Sequence, residues 1–233
     1  MEIAWRFQVD VSAISCDRAI QRVPGAEYLS WGIDMPESGY VLVLPGGKVR
    51  SDRSSRSWQL ANLRMAVSAA VLRRRLGPNV EVRRVRYRLR GWNSPRLDAL
   101  RDAEAILDSA RDRFEPEQIA LVGHSMGGRV AAHLAARGDV GSVVALAPWW
   151  VDNDSELIPA TTRLLVVHGT ADTWTDPRAS LAQTRRAQQR GVVAEWVGLD
   201  GAGHYMVRRW REWHRLAAEF VAEQLDVAKS DKR

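Results

Sequence analysis

The sequence predicts an α/β fold in which a mostly parallel, doubly wound β-sheet is flanked by helices. Short apolar runs alternate along the chain with longer amphipathic segments, which is typical of a parallel sheet covered on both faces. Strand-like runs such as 40–47 (YVLVLPGG) are apolar almost throughout, as expected for strands buried on both faces. No repeat, low-complexity linker or second core interrupts the pattern, so we expect residues 1–233 to form a single domain.

Length and composition point to a soluble protein. The 233 residues, 45% of them hydrophobic, suffice for one full hydrophobic core. The single cysteine, Cys16, excludes an internal disulfide framework and fits a reducing compartment. No signal-peptide pattern is visible, and no apolar run approaches the roughly 20 residues of a membrane helix. We therefore expect a cytoplasmic protein with no membrane partner.

The net charge of +6 raises the possibility of nucleic-acid binding. A specific nucleic-acid binder concentrates its basic residues on one face or element. Here arginines occur in every predicted helix, so we expect no nucleic-acid partner.

The first half of the chain begins with a segment, 1–38, whose structure the sequence leaves uncertain. A strand over 40–47 follows, and then a helix over 58–76. Ser57 is placed to cap this helix and Gly77 to stop it.

The next strand, 79–92 (NVEVRRVRYRLRGW), carries an unusual charge pattern. Arg84, Arg86 and Arg88 alternate onto one face, and a central buried strand cannot hold three unpaired arginines. The strand is therefore near the sheet edge, or its arginines meet acids of the following helix. That helix, 95–114, supplies Asp98, Asp102 and Asp108.

The second half continues the alternation. Strands are predicted over 118–123, 140–148, 163–169 and 192–198, and helices over 126–138, 177–191 and 207–225. The last helix has an apolar stripe of Val207, Trp210, Trp213, Ala217, Phe220 and Val221. Only 148–162 separates two neighbouring strands, which is too short for a lid domain, and we expect the tail 227–233 to be disordered.

Three strand ends carry chemistry. Gly123-x-Ser125-x-Gly127 at a strand-to-helix junction matches a nucleophile elbow, although a helix N-cap with incidental glycines is the alternative. Asp172 follows the strand 163–169, and His204 lies in a glycine-rich loop before the last helix. A serine nucleophile needs a base and an acid that orients the base. Because the carboxyl ends of parallel strands meet at one edge, we expect these three side chains to meet there.

The motifs GHSMGG (123–128), HGTAD (168–172) and GAGHYM (201–206) resemble those of the α/β-hydrolase family. The resemblance covers roughly residues 40–225 and is closest to small lidless serine esterases of a dienelactone-hydrolase-like or cutinase-like branch. It implies that Ser125 is the nucleophile, His204 the general base and then acid, and Asp172 the residue that orients His204. It implies no cofactor and no metal.

The resemblance also implies an oxyanion hole made of two backbone amides. Met126, the residue after the nucleophile, supplies one. Residues 45–47 (PGG) stand where many members have His-Gly-x, so Gly47 is the choice for the other, with Lys48 as the alternative.

The loops at the predicted mouth carry tryptophans, cations and further acids. Trp92, Trp149, Trp150 and Trp174 line a ligand pocket or pack the loops together. Lys48, Arg50, Arg53 and Arg56 favour an anionic substrate or form a solvated loop. Asp152, Asp154, Asp176 and Asp200 are rival candidates for the acid.

The predicted function is hydrolysis of a small-molecule carboxylic ester. A thioester, lactone or amide substrate and a non-catalytic binding protein stay open as alternatives, and so does the oligomeric state.

Overall fold

The computed structural model describes the backbone of residues 38–230 and the side chains of residues 38–225. Its described part contains one six-stranded, fully parallel sheet in the order β2-β1-β3-β4-β5-β6. The strands are β1 (Gly39–Leu44), β2 (Val80–Arg84), β3 (Ile119–His124), β4 (Ser142–Leu146), β5 (Arg163–Gly169) and β6 (Ala194–Leu199). The helices are α1 (Leu60–Leu76), α2 (Asp98–Arg111), α3 (Met126–Ala135), α4 (Pro177–Gln189) and α5 (Trp210–Ser230). The predicted fold class is confirmed.

Helices cover both faces of the sheet because its strands are apolar on both sides. Alternate side chains of β1 show the division: Leu42 and Leu44 belong to the core under α2, α3 and α4, whereas Val41 and Val43 belong to the core under α1 and α5. Both cores are built mainly of alanine, valine and leucine. The sheet is therefore a rigid platform for the loops at its carboxyl edge.

The strand order reverses between β1 and β3. From β1 the chain moves outward to β2 and then returns to form β3 on the other side of β1. In open α/β sheets the loops that leave such a point diverge and form the crevice where ligands bind. The loop after β1 carries Gly46 and Gly47, and the turn after β3 carries Ser125.

The predicted edge position of the arginine-rich strand is confirmed, but the strand is shorter than predicted. β2 lies at the sheet edge and ends at Arg84 rather than at residue 92. Beyond this point the chain leaves the regular ladder, and the Arg88 guanidinium forms an ion pair of 2.6 Å with Asp102 of α2. Both predicted ways of accommodating the arginines are therefore used.

The helices differ from the prediction by a few residues at most of their ends, and two of the differences change how a helix begins. α1 begins at Leu60, and the residue at its N-cap position is Gln59, whose side chain makes no capping hydrogen bond. Ser57 therefore does not cap the helix. α5 begins at Trp210 rather than at Val207. Val207, which precedes the helix, is 76% exposed, and Trp210 in its first turn is 47% exposed, while Trp213 is fully buried. The buried part of the predicted stripe thus begins at Trp213.

The two terminal segments singled out in the sequence are described to different extents, and residues 227–230 of the tail predicted to be disordered are helical. Of the N-terminal segment 1–38, only residue 38 is described, and at the other end α5 continues to Ser230. The connection from β4 to β5 contains one short 3₁₀ helix, Asp154–Leu157, so no lid domain is inserted there. Within the described part of the chain, no helix combines the length and apolar character needed to cross a membrane.

Candidate active site

The turn between β3 and α3 holds Ser125 in a strained backbone conformation. Ser125 has φ 56° and ψ −117°, a left-handed conformation that costs a residue with a side chain about 1–3 kcal/mol. The neighbouring glycines are required by close approach of backbone segments: a Cβ on Gly127 would lie 2.1 Å from the Leu44 carbonyl oxygen, and one on Gly123 would lie 2.2 Å from the Gly127 carbonyl oxygen. The turn thus points the Ser125 side chain away from the sheet, at the carboxyl edge.

Three side chains from separate loops form a continuous hydrogen-bonded chain at this edge. His204 Nε2 lies 3.1 Å from Ser125 Oγ, and His204 Nδ1 lies 2.8 Å from Asp172 Oδ2. Asp172 and His204 are 9% and 8% exposed, respectively. The arrangement allows the imidazole to take a proton from the hydroxyl on one side while a buried carboxylate orients it on the other.

The Asp172 carboxylate accepts an unusually large number of hydrogen bonds. Its Oδ1 accepts from the amides of Trp174 (2.7 Å) and Thr175 (3.0 Å). Its Oδ2, besides facing His204, lies 2.9 Å from Thr175 Oγ1 and 3.1 Å from His168 Nε2. Burial opposes ionisation, but the hydrogen bonds from His168, His204 and the two amides outweigh it and hold the pKa of Asp172 well below its usual range. The carboxylate is therefore charged at neutral pH.

His124, beside Ser125, is buried and supports the loop that carries His204. Its Nε2 lies 2.9 Å from the His204 carbonyl oxygen, and the two imidazole rings are 4.9 Å apart. Burial, and secondly the proximity of His204, lowers the pKa of His124 to about 3. His124 is therefore neutral and can donate its Nε2–H to that carbonyl. Its buried ring thus holds the backbone of His204 in place.

The backbone amides expected to bind an oxyanion lie on two adjoining segments. The Met126 amide begins α3, and Gly47 packs against the Met126 side chain so closely that a Cβ would lie 2.4 Å from Met126 Cε. Within residues 38–225, neither amide has a protein acceptor. The Lys48 amide, in contrast, donates to the Arg90 carbonyl oxygen at 2.8 Å. Of the two alternatives left by the sequence, only Gly47 has a free amide.

Residues 41–221 match the model of the alpha/beta hydrolase family. The chain belongs to that family. The predicted resemblance is confirmed at this level, while the dienelactone-hydrolase-like or cutinase-like branch stays a prediction.

Solved structures of this α/β-hydrolase's fold include Est1E from Butyrivibrio proteoclasticus, at 17% identity and a TM-score of 0.61, over 83% of this chain and 91% of that one. An alpha-beta serine hydrolase homologue from Coxiella burnetii is similar at 18% identity and a TM-score of 0.61, over 79% of this chain and 85% of that one. At these identities the similarity concerns the fold alone.

Among curated proteins, alpha/beta hydrolase domain-containing protein 17B of Homo sapiens and that of Xenopus laevis are each 28% identical over 144 residues. The matched region covers 53% of this chain and 49% of each relative. The chain thus spans about half the length of the curated relatives that it matches.

The four rival acids of this α/β-hydrolase have other positions or partners. Asp154 is buried between Arg129 and His133, and Asp176 caps α4 by accepting from a backbone amide. Asp200 accepts a hydrogen bond from Thr170, and Asp152 is exposed. Of the predicted acids, only Asp172 is hydrogen-bonded to His204.

The structure separates the four predicted mouth tryptophans. Trp92 and Trp150 are 3% and 7% exposed and belong to the core, and the Trp150 indole donates to the Gly128 carbonyl oxygen. These two rings therefore pack the loops and do not line the mouth. Trp149 is half-buried against the Arg129 guanidinium. Trp174 alone is largely exposed, at 64%, and its ring centroid lies 6.3 Å from that of His204.

Sequence reasoning missed two residues that contact Asp172. His168, near the end of β5, is fully buried, with Nε2 facing Asp172 and Nδ1 2.8 Å from Ser180 Oγ. Thr175 contacts both Asp172 and, at 3.2 Å, His204 Nδ1. The only available signal was their position, His168 near the end of β5 and Thr175 in the turn that follows.

The described residues, 38–230, leave the mouth of the site uncovered. Ser125 is partly exposed, and no inserted domain covers the carboxyl edge within residues 38–230. Two surface depressions lie elsewhere, one between α1 and β2 and the other beside Asp154, and Ser125 lines neither. Among residues 38–230, Ser125 is therefore reached at the carboxyl edge without passing an inserted domain.

Proposed function

We propose that this protein is a serine hydrolase that cleaves carboxylic esters through an acyl-enzyme on Ser125. The observation that carries the proposal is the unbroken hydrogen-bonded chain from Ser125 Oγ through His204 to Asp172, with distances of 3.1 and 2.8 Å. A packing serine needs neither a strained turn nor a histidine oriented by a buried carboxylate. Membership of a hydrolase family supports the same reading.

In the first step Ser125 Oγ attacks the ester carbonyl carbon while its proton passes to His204 Nε2. The ionised Asp172 stabilises the resulting imidazolium and fixes the tautomer in which Nδ1 carries a proton. Collapse of the tetrahedral intermediate breaks the bond to the alcohol oxygen. His204 then returns its proton to that leaving oxygen, and the acyl group stays on Ser125.

The negative charge of the tetrahedral oxygen is stabilised by the amides of Met126 and Gly47. Both lack an acceptor in the described residues, and Gly47 is exposed. The Met126 amide also begins α3, so the partial positive charge of the helix N-terminus adds to the effect. Losing one such donor costs enzymes of this type about 100- to 1,000-fold in rate.

In the second step a water molecule gives a proton to His204 and attacks the acyl carbon. His204 passes that proton back to Ser125 Oγ as the acid product leaves. Because no lid is inserted at the carboxyl edge within residues 38–230, the proposed site suits accessible esters better than long acyl chains that need an enclosed tunnel. Solved structures of the same fold include an arylesterase and a monoacylglycerol lipase.

Pre-steady-state hydrolysis of p-nitrophenyl acetate tests the proposal. We expect a burst of p-nitrophenol equal to the enzyme concentration if deacylation is slower than acylation, followed by steady turnover. Ser125→Ala and His204→Ala should each remove the burst and the turnover while remaining folded.

Ser109→Ala, which alters a surface serine of α2, is the matched control and should behave as wild type. Turnover in Ser125→Ala at the wild-type rate would exclude Ser125 as the nucleophile. A folded wild-type protein that hydrolyses neither this ester nor its thioester would favour a binding protein on this scaffold.

A further inference from the structure

An exposed aromatic surface borders the imidazole of His204. The ring centroids of Trp174 and Tyr205 lie 6.3 and 5.6 Å from that of His204, and 5.6 Å from each other. Trp174 is 64% exposed and Tyr205 is 41% exposed. Exposed aromatic rings grouped beside a reactive centre offer a flat surface on which a ligand ring can stack.

Each of these two rings also contacts a cation. Lys48 Nζ lies 5.6 Å from the centroid of the Trp174 ring, and Arg64 Cζ lies 4.5 Å from that of the Tyr205 ring. We call Lys48, Arg64, Trp174 and Tyr205 the aromatic–cationic rim. Lys48 reaches Trp174 from the loop after β1, so its side chain crosses between the loop that carries Gly47 and the loop that carries Asp172.

Among the described side chains, 38–225, neither cation of the rim has a carboxylate partner. Within residues 38–225, no acidic oxygen lies within 4.0 Å of Lys48 or Arg64, whereas Arg88 and Arg111 elsewhere are paired with aspartates at 2.6 and 2.7 Å. Arg64 is moreover half-buried. A cation that is partly removed from water and faces only an aromatic ring keeps most of its capacity to attract an anion.

The position of the rim relative to His204 indicates which part of a substrate it contacts. The imidazole that protonates the leaving oxygen must lie beside it, so rings that border His204 border the departing alcohol. The acyl group, by contrast, stays on Ser125. The rim therefore faces the alcohol part of an ester rather than its acid part.

We infer that the aromatic–cationic rim is a subsite for an aromatic alcohol that carries a carboxylate. The inference rests on the proposed function of Ser125. The ring of the alcohol stacks on Trp174, and its carboxylate pairs with Lys48, which gives up its position over the indole. Arg64 adds positive potential from the Tyr205 side. The preferred substrates are then small acyl esters of anionic phenols.

The test compares two substrates of equal size: the acetate ester of para-hydroxyphenylpropanoate and the acetate ester of its primary amide. Two methylene groups separate the charge from the ring, so the two phenols are similar leaving groups. At low salt we expect kcat/KM of the wild type to be about five-fold higher for the anionic ester, mostly through KM. The preference should diminish at an ionic strength of about 0.5 M.

Lys48→Gln should bring the ratio of the two rates close to one, and Lys48→Arg should keep it. Arg163→Gln is the matched control, because it removes one exposed positive charge at the amino end of β5, at the opposite edge of the sheet. It should leave the ratio unchanged.

Equal rates for the two esters in the wild type would overturn the inference, as would a preference that persists in both Lys48→Gln and Arg64→Gln. Turnover of neither ester would overturn it too. In each case hydrolysis of p-nitrophenyl acetate reports separately whether the proposed function still holds.

Discussion

Replacing Asp172 by asparagine should abolish activity while leaving the protein folded. The Oδ1 atom of the carboxylate accepts hydrogen bonds from two backbone amides, and its Oδ2 atom faces the side chains of His204, His168 and Thr175. Because the backbone amides can only donate, the asparagine oxygen must take the Oδ1 position and its NH₂ group the Oδ2 position. The NH₂ group then faces Nδ1 of His204, which is forced to accept. The imidazole proton moves to Nε2, and the base that faces Ser125 is lost.

The size of the effect follows from this change of tautomer. The corresponding exchange in a serine triad lowers kcat about 10⁴-fold, which raises the activation barrier by about 5 kcal/mol. The loss of folding stability is smaller, about 1–3 kcal/mol for mismatched buried hydrogen-bonding groups. Since domains of this kind have unfolding free energies of about 5–15 kcal/mol, the Asp172→Asn variant should stay folded. Unfolding therefore cannot explain the loss of activity.

The assay is kcat/KM for p-nitrophenyl acetate together with urea unfolding of the same preparations. Asp176→Asn is the matched control: Asp176 lies four residues further on and caps α4, a task that asparagine performs equally well. This control should keep wild-type activity and stability. The reasoning is refuted if folded Asp172→Asn retains more than about a tenth of the wild-type rate.

Three further predictions concern the residues around the proposed triad of Ser125, His204 and Asp172. Because the pKa of His124 is about 3 in the folded protein, only the unfolded chain takes up its proton below about pH 6.5, and stability falls as the pH drops. When the pH is lowered from 7 to 4, the unfolding free energy of the wild type should fall by about 3 kcal/mol more than that of His124→Asn. Urea unfolding at both pH values measures the two decreases, and equal decreases would contradict the prediction. Gly127→Ala should lower the unfolding free energy by about 3 kcal/mol or more, since its Cβ meets an immobile carbonyl oxygen of β1. Gly203→Ala is the control, because its Cβ would meet nothing nearer than 3.8 Å, and it should leave the unfolding free energy unchanged. Thermal or urea unfolding of both variants measures the difference. His168→Leu should lower kcat about tenfold by removing a hydrogen bond to Asp172. His168→Gln, which can still donate to Asp172, should have a kcat between those of His168→Leu and the wild type. Equal kcat values in both variants and the wild type would assign His168 to packing alone.

The fold and the meeting of Ser125, Asp172 and His204 could be predicted from the sequence for one physical reason. Ser125, Asp172 and His204 each follow a strand, and parallel strands bring their carboxyl ends to a common edge. Their mutual distance is therefore a consequence of topology. Gly47 was predicted from the family resemblance instead, and its position near Ser125 follows from β1 and β3 being neighbours in the sheet.

Side-chain direction within loops could not be predicted in this way. Trp92, Trp150 and Trp174 all follow strands, yet only Trp174 projects outward. Which ring is buried depends on partners contributed by other segments, such as the Gly128 carbonyl that accepts from Trp150. The contact of His168 with Asp172 was missed for the same reason, since a buried histidine near a strand end has no periodic signal.

Reaction with a fluorophosphonate, followed by intact-mass measurement and peptide mapping, tests the nucleophilic role of Ser125 most directly. We predict one phosphonyl group per wild-type chain, on the peptide that contains Ser125, and none on Ser125→Ala. Labelling of Asp172→Asn should be slowed by several orders of magnitude. A folded wild type that stays unlabelled, or one labelled at another residue, would contradict the assignment of Ser125 as an activated nucleophile.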